Sequence, residues 1–332
     1  MQYETTLAAH ETIAITIGNF DGVHRGHQRL MHQLVAMAHR LHCTPVLVTF
    51  SPHTLEVVRP EIDLQNLTSL EEKLALTARY GNIAHSIIIH FTPEVAAMSA
   101  GAFMDNLCAN FTVKGMVVGA NFSLGHNRMG DVSFLEQYGK EHGIEVEAIP
   151  LQENGQGRIS STRIRKLVSE GQIADANELL GHPLTFSGLV QHGDQRGRLI
   201  GFPTANLLPE PHRLIPANGV YAVRVIIGDM AQRDAEGTIP VYNGVANIGV
   251  RPTFNGTVRL VEVHLLDIQP DLYDQRITIS FIARLRSEQR FAGIEALKAQ
   301  IAIDAQQGRQ LLESQASQAA VPLNGSMEGS VG

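Results

Sequence analysis

His24 and His27 stand three residues apart in the stretch Gly18-Asn19-Phe20-Asp21-Gly22-Val23-His24-Arg25-Gly26-His27-Gln28. On a helix, residues three apart share one face. Two imidazoles placed this way can hydrogen-bond the phosphates of a nucleotide and stabilise charge that develops during group transfer. The glycines let backbone approach such a ligand without a Cβ clash, and a helix start presents free N–H groups to an anion. Two other readings stay open. A Gly-rich turn between a strand and a helix is often purely structural. Two histidines at this spacing can also hold a metal, although no nearby Cys, Asp or Glu completes a zinc-like set. The dinucleotide fingerprint G-x-G-x-x-G does not fit the stretch.

Further along, Arg158, Ser161, Thr162 and Arg165 crowd one short segment. The planar fork of arginine can bind phosphate oxygens bidentately. Ser161 and Thr162 equally suit a plain helix N-cap, and Arg163, Arg165 and Lys166 suit a solvated basic face. In the second half, Thr204 and Asn206 are two apart, so an extended segment turns them to one side. Their oxygens suit Mg²⁺, which takes few protein ligands. Glu262 alternates with Val261, Val263 and Leu265, so it and His264 face away from those three; pattern alone reads this as a strand with its polar face in solvent. Gly188, Gly193, Arg196, Gly197 and Arg198 read as a flexible Gly/Arg-rich loop before Gly201.

The elements that must position these groups follow from periodicity. Apolar runs at Ile13 to Ile17, Pro45 to Phe50, Ser86 to His90, Gly115 to Val118 and Ile144 to Ile149 predict strands. Helical spacing predicts helices at Gln28 to Leu41, Leu70 to Arg79, Ala100 to Asn110, Val132 to Glu141 and Ser161 to Leu180. This alternation predicts an α/β domain with a parallel sheet, and ligands on such sheets sit at the carboxyl ends of the strands. The turns after Ile17, Phe50 and Val118 would converge there. Gly181-His182-Pro183 ends the last helix, which sets a boundary: one domain over 1–183, a second over 184–305. From Leu184 short β-rich runs at Phe186 to Gln191, Gly219 to Ile227, Thr238 to Ile248, Val258 to Leu266 and Gln275 to Phe281 predict a small antiparallel barrel. A helix over Glu288 to Ala305 follows, and the polar residues 306–332 read as a disordered tail.

Gly-Asn-Phe-Asp-Gly-Val-His-x-Gly-His resembles the first motif of the prokaryotic bifunctional riboflavin kinase/FAD synthetases. Its His-x-Gly-His core is the signature of the wider adenylyltransferase superfamily. Thr49-Phe50-Ser51-Pro52-His53, Val118 to Gly125 with Arg128, and Arg158 to Arg165 resemble the other blocks of the synthetase half. Gly201-Phe202-Pro203-Thr204-Ala205-Asn206, Gly219-Val220-Tyr221, Arg251-Pro252-Thr253-Phe254 and Val261 to Asp267 resemble those of the kinase half, in the family's order. The resemblance covers about residues 12 to 305. It implies a Rossmann-like nucleotidyltransferase domain followed by a riboflavin kinase barrel with a terminal helix. It also implies two ATP-dependent steps, riboflavin to FMN and FMN to FAD, with Mg²⁺. Transferred residue by residue, it makes His24 and His27 the groups that stabilise charge in adenylylation. Gly18, Asn19, Phe20, Asp21, Gly22, Gly26, Asn121, Arg128, Arg158, Ser161, Thr162 and Arg165 become ATP or flavin contacts. In the kinase half it makes Glu262 the catalytic base, Thr204 and Asn206 the metal ligands, and Gly193, Arg198, Gly201 and Pro203 nucleotide or flavin contacts. Four positions depart from the family's usual residues: Thr54, Leu124, Asn121 and Asp274.

Composition narrows the partners. The 332 residues are comfortable for two domains. A net charge of −7 offers no general attraction to nucleic acid or an anionic membrane, so any phosphate site must be built locally. That charge counts against an RNA-binding module of the aminoacyl-tRNA synthetase kind, which uses a similar His-x-Gly-His turn. No apolar run approaches the ~20 residues of a membrane span. The two cysteines, Cys43 and Cys108, read as reduced packing residues. The expectation is a cytoplasmic enzyme of small-molecule substrates; a flavin carrier without turnover is the rival.

Overall fold

The structure, a computed structural model, describes residues 1–155, 157–192, 201–228, 240–253 and 256–319. The chain folds as two units. The first holds Met1–Ser169, Asp175–Leu184 and Glu210–Leu214; the second holds Glu170–Ala174, Thr185–Pro209 and the residues from Ile215 onward.

In the first unit, strands β1 (Tyr3–Thr5), β2 (Thr12–Ile17), β3 (Thr44–Ser51), β4 (His85–His90), β5 (Thr112–Gly119) and β6 (Glu145–Ile149) form one sheet in the order β1-β4-β3-β2-β5-β6. All neighbours pair in parallel except β1, which runs antiparallel to β4 at the edge. The five expected strands are present; β1 is too short to show a period. The middle strands are apolar throughout because both sheet faces are covered. Ile13, Ile15 and Ile17 of β2 join one core with Phe103, Met104 and Leu107. Ala14 joins the opposite core with Met31, Leu34 and Met37. The helices are α1 (Arg25–Arg40), α2 (Thr54–Val58), α3 (Leu70–Gly81), α4 (Pro93–Ala96), α5 (Ala100–Asn110), α6 (Val132–His142), α7 (Ser161–Ser169) and α8 (Ile173–Leu180). The chain steps from β2 outward through β3 and β4, then returns to place β5 on the other side of β2. The carboxyl ends of β2 and β5 therefore flank a topological switch point, where α/β sheets bind ligands.

One expected element is corrected. The single helix over Ser161 to Leu180 is two, α7 and α8. Gly171 between them adopts φ +76°, and a Cβ there would lie 3.0 Å from the Arg284 guanidinium. Helical spacing continues across such a break, so periodicity alone does not reveal it.

In the second unit, β9 (Leu184–Gln191), β10 (Ala205–Leu207), β11 (Gly219–Ile227), β12 (Val241–Thr253), β13 (Gly256–Leu265) and β14 (Arg276–Ser287) close an antiparallel barrel. β7 (Glu153–Asn154) and β8 (Gly157–Arg158) are a separate hairpin of the first unit. Val223, Val225, Ile248, Val261, Val263, Ile279 and Phe281 are buried in the barrel. Helix α9 (Ile294–Ala319) covers its outside, with Leu312 packed against Ala222 and Ile282. Arg286 pairs with Asp304 at 2.7 Å and anchors the helix. Residues 306–319, expected as tail, are thus helical, because Leu312 finds an apolar seat on the barrel that a polar-looking sequence does not advertise. Residues 320–332 lie outside the described residues, as do Gly193, Arg196, Gly197, Arg198, Phe254 and the start of the expected strand at Thr238.

Candidate active sites

The loop between β2 and α1 is held in an unusual shape. Phe20, Gly22 and Val23 adopt φ of 50°, 80° and 39°. For Phe and Val this backbone is strained, so surrounding bonds must enforce it. Asp21, which is buried, does so. Its carboxylate accepts from Leu67 N, Thr68 N and Thr68 Oγ1, each at 3.0 Å, and from Arg165 Nη2 at 2.6 Å. Asn19 closes the other side: its Nδ2 donates to Thr54 Oγ1 at 2.9 Å and its Oδ1 accepts from Thr54 N at 3.1 Å. Ser161 Oγ donates to the Asp21 carbonyl at 2.9 Å, which ties the start of α7 to the loop. Gly22 could not carry a Cβ, which would come within 2.8 Å of the Leu67 side chain.

The loop delivers the two histidines to one place. His24 caps α1, its Nδ1 accepting from His27 N at 3.3 Å. The imidazoles stack at 3.6 Å with 14° between their planes, and Phe20 meets His27 edge-on at 5.1 Å. Burial pushes His24 down to about 4, and burial followed by the charge of His24 and of Lys73 pushes His27 well below the usual range. Both are therefore neutral near pH 7. Because His24 Nδ1 accepts a bond, its proton sits on Nε2, which is left to donate. A pair of neutral N–H donors avoids the repulsion that two stacked imidazolium ions would suffer.

The predicted contacts divide three ways. Gly18, Asn19, Phe20, Asp21, Gly22 and Gly26 form this loop with His24 and His27, and Ser161 and Arg165 are bonded to it. Asn19 and Asp21 bond within the loop and to the segments that flank it, and Arg165, besides its pair with Asp21, donates from Nε to Gln65 O at 2.9 Å. Arg158, exposed on β8, acts on His24 through its charge. Thr162, Asn121 and Arg128 are exposed; among the described residues, Arg128 Nε donates to Ser123 Oγ at 2.8 Å rather than to the loop.

Beside the loop lies a cleft of about 210 Å³. It is bounded by Phe50 to His53 at the end of β3, by Thr68, Ser69, Leu70 and Lys73 at the start of α3, and by Glu210 to Arg213. Lys73 is buried there and burial lowers it to about 8, with Asp21 and Glu56 acting the other way. His53 caps α2 through Nδ1 and is lowered by burial to about 4. Arg213 Nη2 pairs with Glu72 at 2.7 Å. Sequence reading missed Lys73, although a signal was present: Lys73, Leu76 and Thr77 share the buried stripe of α3, where a lysine is out of place.

In the second unit, β10, β13 and β12 set Asn206, Glu262 and Asn247 directly opposite one another. Cross-strand partners share a sheet face, and this row lies opposite the buried face of Val261, Val263 and Leu265. Asn247 Nδ2 donates to Glu262 Oε2 at 3.3 Å. Glu262 is only part-buried. Gly201, at φ +87°, turns the chain into Phe202 and Pro203. His264 Nδ1 lies 2.8 Å from the Pro203 carbonyl, and the Phe202 ring meets His264 edge-on at 5.5 Å. Thr204 precedes β10 by one residue. Its hydroxyl, the Asn206 amide oxygen and the Glu262 carboxylate make an oxygen-only donor set, which fits a hard cation. Among the described residues no cluster of three or more His, Cys, Asp or Glu forms a metal site on its own.

Comparison with known proteins follows the same division. A family model described as FAD synthetase matches residues 6–163, and one described as riboflavin kinase matches residues 180–312. The bifunctional riboflavin kinase/FMN adenylyltransferase of Escherichia coli strain K12 is 40% identical over 299 residues, covering 90% of this chain and 92% of that one. The protein of the same name from Pseudomonas fluorescens is 38% identical over 304 residues, covering 91% and 94%. A crystal structure from Streptococcus pneumoniae, described as a macrolide-efflux protein, superposes with a TM-score of 0.79 at 28% identity, covering 92% of this chain and 96% of that one. Among the described residues no helix is long and apolar enough to cross a membrane.

Proposed function

This chain belongs to the family of bifunctional riboflavin kinase/FMN adenylyltransferases, and from that premise we propose which of its residues carry each reaction. The chain phosphorylates riboflavin to FMN with ATP and adenylylates FMN to FAD, the second step in its N-terminal half and the first in its C-terminal half.

For adenylylation, an oxygen of the FMN phosphate attacks the α-phosphorus of ATP and pyrophosphate leaves. The transition state gathers negative charge around that phosphorus. The single observation that carries the assignment is the stacked, neutral His24–His27 pair at the head of α1, beside the switch point of the sheet. Nε2–H of His24 donates to a phosphoryl oxygen, and His27 supports it from below. Such preorganised donors cost no reorganisation as charge develops. Arg158 and Thr162 take the outer phosphates, while Asp21, Arg165 and Ser161 hold the loop in register. Asn121 and Arg128 contact nucleotide or flavin from the turn after β5.

For phosphorylation, the ribityl 5′-hydroxyl attacks the γ-phosphorus of ATP and ADP leaves. Glu262 accepts the hydroxyl proton, and Asn247 orients it. Thr204 and Asn206 would hold Mg²⁺, which when bound would screen the phosphate charge. Gly201 and Pro203 shape the nucleotide side of the site. A cytoplasmic setting, with ATP at hand and both thiols unpaired, completes the proposal.

The test offers riboflavin and FMN separately, with ATP and Mg²⁺, and separates the flavins by chromatography. His27→Ala abolishes FAD formation from FMN and spares FMN formation; Glu262→Gln does the reverse. Equal loss of both activities in either variant refutes the assignment.

A further inference from the structure

We propose that Lys73 is a substrate-binding residue of the adenylylation step, its ammonium holding the phosphate of FMN as that phosphate attacks ATP. The proposal rests on the adenylyltransferase reading of the first unit.

Lys73 Nζ is a buried cation with little to satisfy it. It donates to Thr49 Oγ1 at 3.3 Å, a long bond, and an ammonium carries three donors. Among the described residues no carboxylate lies within ion-pair distance of it. The carboxylates nearby are already engaged. Asp21 takes Arg165 and three other donors, Glu72 takes Arg213, and Glu56 accepts from Asn66 Nδ2 at 2.7 Å. Burying a charge without a partner is costly, and proteins keep such a charge where a ligand supplies the partner. Lys73 lines the cleft after β3. It is also two bonds from the histidine loop, since Thr49 Oγ1 donates in turn to the Asn19 carbonyl at 3.4 Å. A cation that lines the cleft and connects through Thr49 to the loop of the neutral histidines fits a ligand whose bulk fills the cleft and whose dianionic end faces His24. A phosphate monoester on a ring system is that ligand, and FMN has this form. Riboflavin lacks the anion, so Lys73 would make this site select the phosphorylated flavin.

The test measures FAD formation from supplied FMN in the full-length chain. Lumiflavin serves as a competing flavin, because it has neither a phosphate nor a hydroxyl for the kinase to modify. Lys73→Met and Lys73→Gln raise KM for FMN roughly ten- to hundredfold, the range for a hydrogen bond to a charged group. They leave KM for ATP and the inhibition constant of lumiflavin unchanged, and Lys73→Arg restores most of the loss. An unchanged KM for FMN overturns the proposal, as does a parallel rise in both KM values. Should Lys73→Met unfold, Lys73→Gln, which keeps a donor for Thr49, decides alone. Absence of FAD from the unmodified chain would instead overturn the adenylyltransferase reading itself.

Discussion

Replacing Asp21 by alanine tests whether this carboxylate holds the histidine loop or touches substrate. Asp21 is 3% exposed at its side chain, and its partner Arg165 is 17% exposed. The change strands a guanidinium, two backbone N–H groups and the Thr68 hydroxyl. Breaking a buried ion pair by removing one member costs about 3–5 kcal/mol, and each stranded N–H about 1–3. These costs overlap, because water entering the vacated space serves several donors at once, so about 4 kcal/mol is expected for the whole. For a unit of this size each kcal/mol lowers Tm by about 2–4 °C, which gives a fall of roughly 8–16 °C. Strained Phe20 and Val23 then relax, the imidazoles lose their stack, and FAD formation falls even well below Tm. Calorimetry of Asp21→Ala, Arg165→Met and the double variant measures this. The double variant should lose much less than the sum, since each partner is destabilising chiefly when left alone. A Tm within about 2 °C of the parent, together with lost FAD formation, would refute the reasoning and place Asp21 against substrate.

Three further outcomes are expected. Lys73 is lowered from 10.5 to about 8, so below pH 8 it is charged in both folded and unfolded chains and the full burial cost is present. Between pH 8 and 10.5 the folded form sheds the proton first, so the parent should gain about 3 kcal/mol on Lys73→Met, read by urea unfolding at each pH. His24 is lowered from 6.5 to about 4, so the unfolded chain binds the extra proton in that window. Stability should fall as pH drops from 6.5 to 4, more steeply in the parent than in His24→Asn, in the same assay. Arg286→Met strands Asp304, which otherwise accepts from Arg286 and from Gln300 Nε2 at 2.9 Å. It should cost about 3 kcal/mol and raise amide exchange along α9, with FMN formation lost at lower temperature than in the parent.

The loop and its histidines were legible because their information is local. A strand, a Gly-rich turn and a helix start are neighbours in sequence, and the spacing of His24 and His27 already puts them on one face. The barrel's Glu262 was legible for the same reason, since alternation with Val261 and Val263 turns it away from the core. Helix α9 was found but misplaced: it begins at Ile294 rather than Glu288 and runs on past Ala305, because burial of Leu312 depends on a barrel surface formed by distant strands. The break at Gly171 was missed because the apolar period continues across it.

The amino-acid sequence alone determined that an α/β half precedes a β-barrel half, and its motifs determined the family to which the chain belongs. Only the tertiary structure decided the surroundings of Asp21, Arg165 and Lys73. In sequence, the resemblance makes Asp21 and Arg165 ATP or flavin contacts, Arg165 also suits a solvated basic face, and Lys73 is not singled out. Folding brings residues 21, 67, 68 and 165 within hydrogen-bond distance, so the first and last neutralise each other and hold a strained turn. The same folding buries Lys73 beside that turn with no carboxylate among the described residues to pair it. Charge compensation is a property of distance and local dielectric, and both are set by contacts between residues remote in the chain.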